Sequence, residues 1–215
     1  MSQLAIVTPD LVLRPFTMDD ARAVQRLAGD PAVSDTALDV PYPFEDGMAE
    51  AWIGGHAAGF AAGTMAAFAA TIPGSGELCG AAGLTIDPEH RRGELGYWIG
   101  RPFWGRGYAT RAAAVVLEFG FREMKLRRIY ATHLTRNLAS ARVLEKLGMR
   151  PEGILRQHVL HRGRWEDLAI RGCLAADRTA GLFKDSSASV QSGSPPEPHI
   201  PPVDDGPRCG ARAGG

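Results

Sequence analysis

The sequence predicts an α/β (α+β) chain with a mixed sheet, and three observations carry that expectation. Over residues 94–99 Leu95, Tyr97 and Ile99 alternate against Glu94, Gly96 and Trp98, the two-residue period of a strand. Ala112, Val115, Val116 and Phe119 instead recur at i, i+3, i+4 and i+7, the stripe of a helix that covers a core. Runs of strands are separated by single helices rather than by a strict strand–helix alternation, which is the order of a mixed sheet.

Taken along the chain, residues 11–15 read as a first strand. Thr17 with Asp20 makes a capping box that opens a helix with Ala21, Val24 and Leu27 on one face, ending near Gly29, Asp30 and Pro31. A turn-rich loop through Pro41, Tyr42 and Pro43 leads to a second helix from about Glu45. Strands follow at 65–72, 78–86 and 94–99, then a loop from Arg101 to Gly107 and the striped helix. A strand is expected at 128–133, and Asn137 caps a helix that ends at Leu147, with Gly148 where a left-handed residue is wanted. Two last strands, 154–161 and 165–174, are joined at Arg162, Gly163 and Arg164.

The 215 residues carry 24 Lys+Arg against 24 Asp+Glu with 45% hydrophobic residues, which excludes a disordered acidic or basic chain. The balance hides segregation. Residues 1–90 hold 3 basic and 12 acidic side chains (net −9), residues 91–150 hold 13 and 4 (net +9), and the remainder 8 and 8. A +9 segment suits an anionic partner, and the acidic segment suits a cationic one.

Cys79, Cys173 and Cys209 are odd in number and widely spaced, so neither a disulfide framework nor a zinc site is expected; the reading is a reducing, cytoplasmic setting. Residues 1–10 lack the basic start and apolar stretch of a secretory signal. From Ala51 to Gly76 there is no charged side chain, and Gly55, Gly59 and Gly63 have the spacing of close-packing membrane helices. The run is poor in large aliphatics, so it reads as a buried helix leading into a buried strand, with no membrane partner. Of the 31 residues from 185 to 215, 16 are Pro, Gly or Ser. The expected organisation is therefore one domain over 1–176 and a disordered tail over 177–215.

The densest chemical signal is the passage from strand to Gly-rich turn to helix, Trp104-Gly105-Arg106-Gly107-Tyr108-Ala109-Thr110. Two glycines permit a tight turn that exposes consecutive N–H groups, and the helix start directs its positive dipole end to the same place. Such a turn either cradles a phosphate or merely connects two elements; it is neither a P-loop nor GxGxxG. The histidines show no metal-ligand spacing, and no metal is expected. No interleaving of aromatic and basic residues suggests nucleic acid. Trp52, Trp98, Trp104 and Trp165 are expected in the core or on slot walls.

This turn resembles the pyrophosphate-binding turn of the GNAT superfamily of acetyl-CoA-dependent N-acetyltransferases, with Trp104 as in its RimJ/RimL-like branch. Leu11 to Phe16, Tyr42 to Ile53, Asn137 to Ser140 with Leu144 to Met149, and Gly163 to Asp167 resemble further segments of that branch. The resemblance spans about residues 8–176. It implies a GNAT-type acyl-CoA N-acyltransferase fold with a mixed central sheet of about seven strands, flanked by helices and splayed between 94–99 and 128–133. Acetyl-CoA would enter that gap as co-substrate, bound by Ile99, Trp104, Gly105, Arg106, Gly107, Tyr108, Ala109, Thr110 and Asn137.

The implied reaction is direct attack of an amine on the thioester, with Glu94 as base and Ser140 protonating the thiolate in place of the family's usual tyrosine, whose position holds Leu144. Each has a plainer alternative: Glu94 pairing with Arg91 or Arg92, Ser140 as an ordinary first-turn residue, Asn137 as an N-cap alone. The acceptor is a protein N-terminus or a small amine such as a polyamine or antibiotic, its slot lined by the 30–46 loop, the second helix and the final hairpin. A CoA-binding sensor without catalysis is the competing reading. Homodimerisation is left open.

Overall fold

The computed structural model describes residues 3–178 and 189–190. Its first strand is one the sequence pattern did not mark: Ile6–Val7 (β1) pairs antiparallel with Val12–Arg14 (β2). The expected capping box forms its reach-back half, in which the Asp20 carboxylate accepts the Thr17 backbone N–H at 2.9 Å. A single 3₁₀ turn, Met18–Asp20, leads into Ala21–Ala28 (α1), which buries Ala21, Val24, Leu27 and Ala28. Asp30 then caps the short Pro31–Ser34 (α2) by accepting from the Ala32 N–H.

The segment from Ala51 onward departs from expectation. It forms two short helices, Met48–Gly54 (α3) and His56–Ala61 (α4), of which only Ala49, Ile53 and His56 are buried. Ala and Gly carry too little surface to say which face turns inward, and here most of them face out. The strand that follows, Met65–Thr71 (β3), is buried over most of its length. Among the described residues no helix is long and apolar enough to cross a membrane.

Leu78–Asp87 (β4) and Arg92–Ile99 (β5) continue the meander, Tyr108–Arg122 (α5) crosses over, and Arg128–Leu134 (β6) lies parallel to β5. Leu138–Lys146 (α6) starts at its Asn137 cap and ends before Gly148, which has a φ of 69°. Arg150–His161 (β7) and Arg164–Leu174 (β8) form the closing hairpin, followed by Ala175–Arg178 (α7). Ser189–Val190 (β9) pairs with β1. It lies inside the Pro/Gly/Ser-rich segment for which no structure was expected; the remainder of that segment lies outside the described residues.

The sheet order is β7-β8-β6-β5-β4-β3-β2-β1-β9, nine strands among the described residues rather than about seven. The two additional strands are the two-residue pieces β1 and β9, too short for a period-two pattern. The helix α5 packs Ala112, Ala113, Val116 and Leu117 on the sheet, and Phe68 of β3 meets Phe119 edge-on with ring centroids 5.2 Å apart. Trp165 departs from its expected place, being 63% exposed on β8.

One ion pair sits at the edge of the core. Arg14 holds both Asp20 carboxylate oxygens at 2.7 Å, with side-chain exposures of 30% and 7%. Burial alone would raise the Asp20 carboxyl, but the guanidinium and the Thr17 N–H outweigh it and hold the group below its ordinary range. A depressed carboxyl stabilises the fold above the unfolded value and loses that contribution as pH falls through the folded one. Asp20→Asn should therefore cost about 2–3 kcal/mol at neutral pH, less than a fully buried pair because Arg14 reaches solvent. Urea unfolding at pH 7 and below pH 3 would check it; an equal cost at both would contradict the assignment.

Candidate functional site

The ladder between β5 and β6 has three rungs, Arg92 to Arg128, Gly93 to Ile129 and Glu94 to Tyr130. Beyond them the two strands part, β5 running on to Ile99 and β6 to Leu134. Each keeps its other edge paired throughout, β5 to β4 and β6 to β8. The parting thus leaves two facing strand edges whose unmatched N–H and C=O groups await water or a ligand. A cleft of about 900 Å³ opens there.

At the far end of β5 the chain makes a 3₁₀ turn, Arg101–Phe103, and the Trp104 indole Nε1 donates to the Ile99 carbonyl at 2.6 Å. That bond closes the turn. Gly105 and Gly107 then take φ values of 76° and 77°, a region L-residues with side chains avoid, and α5 begins at Tyr108. The backbone N–H groups from Gly105 to Thr110 have no acceptor among the described residues. They stand at the positive end of a 15-residue helix. This is a cradle that fits a phosphate or pyrophosphate.

Trp104, Gly105, Gly107, Tyr108, Ala109 and Thr110 all line the cleft, as do Ile99 and Asn137. Arg106 does not: its guanidinium lies over the Phe103 ring at 5.9 Å. Arg111 donates to the Arg106 carbonyl and pairs with Asp10 at 3.0 Å. The positive field at the cradle thus comes chiefly from backbone dipoles, with these arginines turned toward protein partners.

Glu94 sits at the last rung, in the crotch of the fork. Thr132 Oγ1 donates to Glu94 Oε1 at 2.8 Å and Tyr130 OH to Oε2 at 3.2 Å, both from β6. The plainer pairing with Arg91 or Arg92 does not form, since Arg91 donates to the Lys125 carbonyl and Arg92 pairs with Asp87. Two donors fix the carboxylate's plane while leaving it lone pairs toward the cleft. Burial, reinforced by the Glu94 charge and hydrogen bond, raises the Tyr130 phenol, so it stays a donor.

Ser140 lies in the first turn of α6, its N–H donating to Asn137 Oδ1 at 3.0 Å, and its hydroxyl is 2.8 Å from Tyr97 OH. Sequence reasoning missed Tyr97, Tyr130 and Thr132. Leu144 is fully buried in the core and lines no part of the cleft; its neighbour Val143 does. Asn137 acts as the N-cap, and its Nδ2 reaches toward the Thr36 carbonyl at 3.5 Å.

The opposite side of the cleft is apolar, with Val33, Leu38, Val40, Phe44, Met48 and Trp52 among its walls. His56 lies against the rings of Phe16 and Trp52, and burial lowers its pKa. As expected, the 30–46 loop and the second helical region contribute. The final hairpin, against expectation, contributes no wall. It holds the loop instead: Arg162 donates to Ser34 Oγ and stacks over Tyr42 at 4.2 Å, and His161 Nε2 meets the Asp35 carbonyl at 3.0 Å. Arg136 joins both, bridging Asp35 at 2.6 Å and Glu166 at 2.9 Å. The Arg136 guanidinium holds the Asp35 carboxyl below its ordinary range. Among the described residues no group of three or more His, Cys, Asp or Glu is placed to hold a metal.

Comparison with known proteins agrees with this geometry. The chain is 42% identical over 83 residues to the probable N-acetyltransferase YjcK of Bacillus subtilis, a match covering 39% of this chain and 46% of the relative. The chain spans about half the length of the curated relatives it matches. A GNAT-family acetyltransferase structure from Bacillus anthracis superposes with a TM-score of 0.70 at 28% identity, covering 80% of this chain and 99% of that one. Mycobacterium smegmatis RimJ in complex with CoA-disulfide gives 0.70 at 27% identity, covering 80% and 87%. The acetyltransferase (GNAT) domain family matches residues 10–150, and with a sheet that forks above an anion cradle the chain belongs to that family.

Proposed function

We propose that the protein is an acetyl-CoA-dependent N-acetyltransferase whose acceptor is the α-amino group of a protein N-terminus, in the manner of the RimJ/RimL-like branch. The observation that carries the reading is the fork, with the Gly105–Gly107 cradle at its mouth, Glu94 in its crotch and Ser140 at its wall. The cradle N–H groups hold the pyrophosphate, and the open strand edges receive the thioester arm. Glu94 takes the amine proton, directly or through a water. The help needed is modest, because an α-amino group has a pKa of about 7.7–8.0. Ser140 stabilises the departing thiolate.

Acceptor choice rests on the far wall. Among the described residues Asp39 is its one acidic side chain, and apart from Thr36 and His56 the rest is apolar. A polyamine asks for several carboxylates, whereas a protein N-terminus presents one cation followed by neutral backbone and small side chains. The likeness to RimJ supports the same choice. Thioester cleavage measured over a panel of N-terminal peptides and free polyamines tests it. Peptides should be acetylated with the higher kcat/KM; faster turnover on spermidine would refute the acceptor assignment.

A further inference from the structure

Glu94 and Tyr97 stand three residues apart on an unbroken stretch of β5, so they point to opposite faces of the sheet. Glu94 is held from β6, and Tyr97 reaches α6. The phenol oxygen is 2.8 Å from Ser140 Oγ and 3.4 Å from the Ser140 carbonyl, and among the described residues no other hydrogen-bond partner meets either hydroxyl. Both residues line the cleft. A serine hydroxyl carries one proton on a free rotor. When a neighbour donates to its oxygen, that proton is free to point elsewhere, and here the remaining direction is the cleft.

We propose that Tyr97 is a positioning residue for acetyl transfer, donating to Ser140 Oγ so that the serine proton is directed at the sulfur of the bound thioester. The inference rests on the acetyl-transfer reading above and deepens it. Burial pushes the phenol up to about 12, so Tyr97 keeps its proton throughout the working range and stays available as a donor. In the step itself the C–N bond forms and the C–S bond breaks, with its electron pair going to sulfur. The amine proton passes to Glu94 and on to water. Ser140 keeps its proton and gives the thiolate a hydrogen bond; water protonates the sulfur after release.

Tyr97→Phe removes only the hydroxyl. The deciding measurement is the thiol titration of bound CoA, followed by thiolate ultraviolet absorbance on the folded proteins. A hydrogen bond to the charged form lowers a pKa, so the thiol bound to the native protein should titrate about one unit below free CoA. In Tyr97→Phe and in Ser140→Ala it should return to the free value. Turnover of Tyr97→Phe should fall about 10-fold with the KM for acetyl-CoA changed less than about twofold. The double variant should be no slower than Ser140→Ala, because the tyrosine acts through the serine.

A thiol that titrates in Tyr97→Phe as it does in the native protein, or in the native protein as it does in water, would overturn the proposal. So would single losses that multiply in the double variant. If the titration shifts as expected while no amine is acetylated, the hydroxyl pair stands and the transferase reading falls.

Discussion

Replacing Glu94 with Gln should lower kcat/KM for a peptide amine by about 10²- to 10³-fold near neutral pH, the usual worth of a positioned base. The substitution is nearly isosteric. The Gln carbonyl can still accept from Thr132 and its amide can donate to the Tyr130 oxygen, so the crotch of the fork keeps its shape. What disappears is the site for the amine proton. The variant's rate should then follow the fraction of acceptor that is already neutral, and the deficit should shrink as pH rises past the α-amino pKa of about 8. A pH–rate profile of both proteins provides the check. A loss below threefold, or one independent of pH, would assign Glu94 a purely structural part.

The second large effect is expected at the cradle. Gly107 has a φ of 77°, and a Cβ built there would come within 3.5 Å of Arg111 Nη1. Valine at this position faces a left-handed backbone costing about 1–2 kcal/mol and brings two methyl groups to the helix start. Either the turn relaxes, rotating N–H groups away from the anion, or the methyls occupy the space of the phosphate. Acetyl-CoA affinity should fall about 100-fold by calorimetry, given charge-assisted hydrogen bonds of about 1.5–3 kcal/mol each. Thermal unfolding of the free protein should change far less, because among the described residues a Cβ at Gly107 would meet only the Arg111 side chain. Unchanged affinity would remove the cradle from the site.

The sequence announced those elements whose signals are local. The helix α6 has its cap at Asn137 and its left-handed stop at Gly148 within a dozen residues, and α5 shows its buried stripe directly. The strand β6 alternates visibly in burial. What stayed hidden depends on partners far apart in the chain. Glu94 meets Tyr130 and Thr132 at separations of 36 and 38 residues, and Tyr97 meets Ser140 at 43. Arg162 and Ser34 are 128 residues apart. No periodicity records such meetings, so Glu94 could be singled out through the resemblance, while its donors could not.

The same limit applies to charge. Of the acidic residues in the first 90 positions, Asp39 lines the cleft, while Asp20 is held by Arg14, Asp35 by Arg136, Asp87 by Arg92 and Asp10 by Arg111. Net charge along a segment says nothing about which of its members are already engaged. A correction concerns the closing hairpin, whose match to a known pattern suggested a wall of the slot. Arg162 and His161 instead tie down the loop that forms the wall.

The fork makes the sheet two blocks rather than one. On one side lie the strands from β9 to β5, on the other β6, β8 and β7, and three rungs join them. Beyond those rungs the seam is bridged by α5, which packs on β4 and β5 on one side and on β6 on the other. A substrate arm lying in the gap would serve as the missing strand, closing backbone groups that the protein leaves open. Its presence should tighten the seam and raise the unfolding temperature in proportion to binding, and its departure should return the sheet to two halves that can breathe. In such a design the reactant is, for one turnover, part of the architecture.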